Sequence, residues 1–405
     1  MNIRKLNESE IDLSIELSEY AFQFNLSEEE RRERRKLVQP DNTWVAEENH
    51  TILSKASVLP FHTYIHGQKI PMGGVSGVAT WPEHRRNGMV KELLFHSLKE
   101  MKESGQLLSF LYPFSIPFYR KYGWELFAEK QTVTLTKEQL PKRIEVPGYV
   151  KRVSSESCKE LDSIYQIWAI QYNGTLVREE NWWHKSILRK KDQNIAIYYN
   201  KENTPNGYMI YQVKSETMTV KEIIWLNPES RNGLFSFISN HDSMIKKVII
   251  TTSPNGELPF ILPDPKVERE VQSYFMGRIV DLKSFLENYP FSLPEEDYPP
   301  IVLHISDEFC PWNDGTFFIR CQTEEAIDQG INIDFFQSKK SEGATCQHPP
   351  KKGIRLSIQT LTALLLNAQS MDLLYQEGLI LGDVNTAKLF DQIIPKRKAF
   401  IYDFF

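Results

Sequence analysis

Residues 75 to 94 constrain this chain more than any other stretch. Val75-Ser-Gly-Val-Ala-Thr80 reads as a strand, Trp81 to Gly88 as a turn carrying Arg85 and Arg86, and Met89 onward as an amphipathic helix. A strand that turns into a helix N-terminus presents free backbone N–H groups to an anion. Gly88 allows close approach of the backbone to a ligand, and the two arginines add charge. The Gly-x-x-x-x-Gly-Lys-Ser/Thr phosphate loop is absent, so a nucleoside triphosphatase is the weaker reading.

At 405 residues the chain is too long for one ordinary core, and two to three domains are expected. A formal charge of −5 argues against a dedicated nucleic-acid binder, which needs a basic face. No apolar run approaches a membrane span, and the first residues lack the apolar core of a signal peptide. Cys158, Cys310, Cys321 and Cys346 are scattered without a Cys-x-x-Cys pair, which suits a reducing cytoplasm and predicts neither disulfides nor a metal site.

Three segments follow from the patterning. In residues 1–145 a helix over 8–23, with Asn7 as its N-cap, and a charged, solvated helix over 28–36 precede strands at 44–46, 52–59 and 63–65. His66-Gly67-Gln68 makes a turn, Met89 to Met101 a helix, and Leu107 to Leu111 a buried strand. After a Pro- and Gly-containing linker at 141–149, a similar order recurs over 146–288: a helix at 161–172, strands at 195–199, 208–213 and 221–226, a helix from Gly233 and a strand at 248–250. Its anion loop is lost, since Asn227-Pro-Glu-Ser-Arg-Asn-Gly233 has no arginine pair. A proline-rich boundary around Pro290, Pro294, Pro299 and Pro300 opens the segment 289–405. There, strands at 301–305 and 317–320 flank an Asn-Asp-Gly turn, and a helix at 360–368, a turn and the stretch 386–390 follow.

Together these segments resemble the Eis (enhanced intracellular survival) family of GCN5-related N-acetyltransferases. Three stretches carry the resemblance. Val78-Ala79-Thr80 leads into His84-Arg85-Arg86-Asn87-Gly88, with the Arg85-x-x-Gly88-x-Val90 spacing of a coenzyme A pyrophosphate loop. Phe118-Tyr119-Arg120-Lys121-Tyr122-Gly123-Trp124 stands where the family has Tyr-Gly-Arg-Phe-Gly-Tyr. The aromatic Phe405 stands where the family places its terminal carboxylate.

The resemblance implies an α+β protein. Two fused acetyltransferase-type domains, with mixed central sheets flanked by helices, precede a sterol-carrier-like α+β domain. It implies acetyl-CoA as co-substrate and no metal. The cofactor contacts are Val78, Ala79, Thr80, Arg85, Arg86, Asn87, Gly88, Met89, Val90 and Lys91, with Phe114 and Ser115 beyond the fifth strand. It also implies a polycationic, aminoglycoside-like amine as acceptor and a homo-oligomer of up to six chains, with no nucleic-acid or membrane partner. The chain departs from the family at Tyr112-Pro-Phe-Ser-Ile-Pro-Phe118, at Asn87 and at Val90. Pyrophosphate binding rests mostly on backbone N–H groups and tolerates these changes.

Acetyl transfer makes three chemical demands. The amine must lose a proton, because an alkylammonium with a pKa of about 10 has no lone pair. The thioester oxygen needs a donor, for which backbone N–H near Val78 is the candidate, and the departing thiolate needs an acid. The expected acid is Tyr119 and the expected base the α-carboxylate of Phe405. Such a carboxylate titrates near about 3.5, and burial among Phe400, Tyr402, Phe404 and Phe405 would raise it.

Plainer readings stand beside these: Phe405 as a frayed end, Tyr119 as a packed ring, and His84 as a turn residue. Asp403 and Glu28 to Glu30 either attract a cationic substrate or, on the plainer reading, are ordinary surface charge. Trp182-Trp183 and Phe404-Phe405 either line a pocket for a polyamine or fill a core. A rival for the whole chain is a lipid or sterol carrier with a non-catalytic coenzyme A site.

Overall fold

A computed structural model describes residues 1–189, 192–254, 256, 258–292, 299–321, 331–337 and 352–405. The first segment holds β1 (Asn2–Lys5), α1 (Ile11–Phe22), α2 (Glu28–Leu37), β2 (Thr43–Glu48), β3 (Thr51–Ile65) and β4 (Gln68–Thr80). It continues with α3 (Met89–Glu103), β5 (Leu108–Leu111), α4 (Ile116–Arg120) and β6 (Glu125–Thr136). The second holds β7 (Tyr149–Val153), α5 (Cys158–Ala169), α6 (Glu180–Trp182), β8 (Asn194–Tyr199), β9 (Pro205–Lys214) and β10 (Thr217–Trp225). It ends with α7 (Pro228–Ser239), β11 (Lys247–Thr252), α8 (Leu258–Ile261) and β12 (Glu268–Ile279). After the connecting α9 (Leu282–Asn288), the third holds β13 (Ile301–Ser306), β14 (Gly315–Cys321), β15 (Ile331–Gln337) and β16 (Ile354–Ser357). Then come α10 (Ile358–Leu365), α11 (Met371–Gln376), β17 (Leu381–Gly382) and α12 (Val384–Ile393).

Local chemistry accounts for the helices near the site. In α3, Met89, Leu93, Leu94, Ser97, Leu98 and Met101 recur at helical spacing and are the buried face. In α2, Ser27 and Glu30 form a capping box, with glutamates in the first turn and Arg34, Arg35 and Lys36 in the last, complementing the helix dipole. None of its residues is fully buried, as expected of a solvated helix. The two strands read at 52–59 and 63–65 are one continuous strand, β3, which has Pro60 exposed in its middle.

Among the described residues the first two segments share one 12-stranded sheet, ordered β1-β2-β3-β4-β5-β12-β6-β11-β10-β9-β8-β7. Its two halves exchange strands. The antiparallel neighbour of β5 is β12, with Met276 opposite Leu111, and β6 crosses to lie against β11, with Val133 opposite Ile250. The two exchanged strands pair with each other and make the sheet continuous. Neither is legible in the sequence, because Glu125–Lys130 sets three apolar residues in a row in place of alternation and Glu268–Ser273 is almost wholly polar.

The third segment forms a five-stranded sheet, β15-β14-β13-β16-β17. Its interior residues Leu303, Phe317, Leu361 and Phe390 belong to the same core as Phe110, Phe127 and Phe275 of the large sheet. No helix among the described residues is long and apolar enough to cross a membrane. Cys158 and Cys310 are buried free thiols. Cys346 lies outside the described residues, as does the boundary stretch 293–298 with Pro294.

Candidate active site

The site begins where two parallel strands part. β4 and β5 pair from Met72–Leu108 to Val75–Leu111, after which β5 ends and β4 runs on to Thr80. On its other edge β4 bulges. Ser76 faces Ser57 and Ala79 faces Lys55, so Gly77 and Val78 together oppose one residue, with Gly77 at φ +61°. A bulge releases backbone groups from the ladder, and only glycine adopts this φ without strain. Val78, Ala79 and Thr80 thus border an open wedge.

Beyond β4 a short turn, Pro82–His84, leads into the arginine loop, with His84 a turn residue. Arg86 (φ +68°) and Gly88 (φ +78°) both lie in the left-handed region, and Arg85 donates from Nε to the Thr80 carbonyl at 3.4 Å. No side chain caps α3, so the N–H groups of Met89, Val90 and Lys91 are left for a ligand. Arg86, Asn87 and Gly88 are exposed, and a Cβ at Gly88 would meet nothing within 4 Å. This cradle fits a diphosphate. The matching helix of the second half is closed, since the Asn227 side chain accepts from Ser230 N at 2.8 Å.

Past β5 the chain passes Phe114, 68% exposed, and Ser115, which precedes α4. Tyr119 on α4 is buried, its ring 5.2 Å from Phe114 and from Phe118 and 6.2 Å from Trp124. Its hydroxyl has no hydrogen-bond partner among the described residues, and burial pushes the phenol further up, so it stays protonated. The turn after α4 is pinned from β12. The buried Arg278 donates to the Tyr122 carbonyl and to Asp307 at 2.6 Å. Its guanidinium occupies the space a Cβ at Gly123 would need.

The C-terminal tail closes the other side. The Phe405 ring lies 5.0 Å from Phe61 and from Phe275, directly over Gly74. Phe61 stacks edge-on with Trp182 at 4.9 Å, and Phe404 with Tyr112 at 5.1 Å, giving a wall of aromatic rings. Gly74 and Val75 are adjacent on β4 and so face opposite sides of the sheet. Phe405 packs with the first, while Tyr119 shares a core with the second. The parting of β4 and β5 is the opening between them.

Of the two readings open for the tryptophan pair, Trp183 takes the core, buried and donating to Asp162 at 2.9 Å, while Trp182 joins the aromatic wall. Asp403 is not surface charge but is fully buried against Arg178, Nε–Oδ1 3.0 Å. Arg178, Arg278 and Lys55 carry no local signal, each a lone basic residue in an ordinary stretch. Lys55 is buried on β3 opposite Ala79, donating to the Ser14 carbonyl, Ser14 Oγ (2.8 Å) and Ser18 Oγ (2.6 Å). Burial, and secondarily the charge of Arg34, push it down to about 7. Among the described residues no group of three or more His, Cys, Asp and Glu is placed to hold a metal.

Comparison with known proteins agrees with this architecture segment by segment. Residues 2–127 and 174–279 each match an acetyltransferase (GNAT) domain, and residues 282–402 match a sterol carrier protein domain. N-acetyltransferase Eis of Mycobacterium tuberculosis is 23% identical over 256 residues, 59% of this chain and 62% of that protein. The chain belongs to the Eis-type family of GCN5-related acetyltransferases.

The Eis-type layout extends over whole solved structures. A probable N-acyltransferase from Enterococcus faecalis superposes with a TM-score of 0.89 at 28% identity, covering 100% of this chain and 99% of that one. Eis1 from Mycobacterium abscessus shares the fold, with a TM-score of 0.79 at 17% identity and full coverage of both chains. An uncharacterized N-acetyltransferase of Streptomyces griseus is 22% identical over 275 residues, 61% of this chain. The match spans 64% of that relative's length.

Proposed function

We propose that this chain moves an acetyl group from acetyl-CoA to a primary amine of a polycationic small molecule, aminoglycosides being the class the Eis-type resemblance implies. One observation carries the reading: Tyr119 and Phe405 stand on opposite faces of β4, at adjacent residues beside the wedge. Val78 to Thr80, Arg85 to Lys91, and Phe114 with Ser115 are the proposed cofactor contacts.

The α-carboxylate of Phe405 takes a proton from the acceptor ammonium, directly or through water. The freed amine attacks the thioester carbonyl, forming C–N; the C–S bond breaks as Tyr119 protonates the departing thiolate, and the proton then lost from the new amide nitrogen restores the Tyr119 phenol. Donors at the Val78 bulge stabilise the oxyanion. The rings of Tyr112, Phe61, Trp182 and Phe404 suit an extended cation.

A homo-oligomer of up to six chains and a cytoplasmic setting are part of the proposal. The oligomer is supported by the exposed apolar side chains Leu373, Leu379, Leu381 and Val384 of the third domain. The carrier reading draws no support from that domain, where Leu303, Phe317, Leu356 and Phe390 pack between sheet and helices.

The test is coenzyme A thiol release measured across a panel of aminoglycosides, linear polyamines and neutral monoamines. Turnover on the polycations supports the reading. Turnover on none of them, with acetyl-CoA bound, contradicts it.

A further inference from the structure

The second domain has a capped α7 where the first has an open anion loop, yet it holds a fully buried guanidinium. Arg178 lies just past α5, next to Val177, whose N–H donates to the His62 carbonyl of β3 at 2.8 Å. Its Nη1 and Nη2 bond Glu222 of β10 at 2.8 and 2.7 Å, and its Nε bonds Asp403 of the tail at 3.0 Å. The guanidinium also stacks over the rings of Tyr165 and Trp183, at 3.9 and 4.5 Å. Glu222 takes a further bond from the Tyr208 hydroxyl. Arg178 is thus held in the plane of its guanidinium by two carboxylates and covered by two rings.

The tail is fastened in steps. Phe400 N–H donates to the Asn173 carbonyl at 2.9 Å, and the Tyr402 hydroxyl donates to the Ile223 carbonyl at 3.2 Å. Asp403 receives Arg178 and Trp182 Nε1 (2.7 Å), while its carbonyl accepts from the Tyr274 hydroxyl at 3.1 Å. Among the described residues no hydrogen bond holds Phe404 or Phe405. Asp403 is therefore the last polar anchor before the terminal residue, which otherwise rests on ring contacts alone.

The geometry points to Arg178 as a positioning residue: held by Glu222, it fixes Asp403 and so sets where Phe405 stands beside the β4–β5 opening. This rests on the proposed role of the Phe405 carboxylate as base. In this arrangement the second domain, whose own anion loop is closed, serves the first by gripping the tail. The pairing suits a rigid anchor, because a buried charge that loses its partner is costly.

The test uses the full chain with Asp403→Asn, which keeps the shape of the side chain and removes its charge, and with Arg178→Lys as a second variant. Three quantities are read: kcat, acetyl-CoA affinity by calorimetry, and amide exchange of residues 399–405. The expected result is a kcat lower by about tenfold or more, since small misplacement of a catalytic group is expensive. Acetyl-CoA affinity should stay within about twofold, and exchange should quicken only in the tail. A kcat at the wild-type level overturns the inference, as does a fall in kcat without tail loosening or with a matching loss of acetyl-CoA affinity. A chain lengthened beyond Phe405 separates the two claims. If the lengthened chain turns over normally, the base assignment fails. If it is inactive while both variants are fully active, only the positioning role fails.

Discussion

The ring of Phe405 lies on Gly74: a Cβ at position 74 would meet the ring's Cε2 at 2.7 Å and the Phe61 ring at 2.9 Å. Gly74 is in register with Phe110, one residue short of where β4 and β5 part. The third domain's tail thus seats its terminal residue on the central strand of the first domain, at the point where only glycine leaves room.

Gly74→Ala should therefore push the terminal ring off the strand. The added methyl has neighbours that are ring atoms wedged by Phe275 and Trp182, so they cannot simply swing away. Turnover is expected to drop by about tenfold or more, with acetyl-CoA affinity held within about twofold. Steady-state kinetics with calorimetry checks this, and an unchanged kcat would count against the contact.

Gly88→Ala isolates the anion loop. The free protein has open space at this position, so the stability cost is limited to the left-handed φ, about 1–2 kcal/mol. A diphosphate on the uncapped end of α3 would meet the methyl. Acetyl-CoA affinity should fall by roughly tenfold or more, beyond what the lost stability explains. Coenzyme A titration of the folded variant measures it.

Tyr119→Phe should cut kcat by roughly two orders of magnitude, the usual worth of a positioned acid. Because the hydroxyl has no partner among the described residues, the variant should melt at or slightly above the wild-type temperature. A loss confined to acceptor KM would make Tyr119 a wall rather than an acid.

Lys55 gives a pH dependence of fixed sign. The unfolded chain holds the lysine proton up to about 10.5, whereas the folded chain gives it up at about 7. The unfolded state binds more protons across that window, so folding stability rises with pH from about 7 towards 10.5 and is flat below. Lys55→Met removes the effect. The melting temperature of the native chain relative to this variant should climb by roughly 2–5 °C between about pH 7 and about pH 9. A constant difference would show that the buried amine keeps its proton.

The loop at 75–94 was legible because its signal is local: a strand, an arginine turn and an amphipathic helix in one short run. The recurrence of the element order was legible for the same reason, and so was the aromatic tail. What stayed hidden depends on contacts between distant segments. The exchange of β6 and β12 is decided by pairing across more than a hundred residues, and a strand flanked on both sides by partners needs little alternation of its own. Helix α7 begins at Pro228, five residues before the glycine read as its start, because Asn227 caps it and Gly233 fits inside it against the Tyr198 ring. Arg178 looks like any loop arginine until Glu222 and Asp403 close on it from two other segments.

Lengthening the chain by a few flexible residues after Phe405, and measuring kcat and acetyl-CoA affinity together, tests the proposed base most directly. The expected result is a fall in kcat of roughly two orders of magnitude while acetyl-CoA binds as before. Wild-type turnover in the lengthened chain would contradict it.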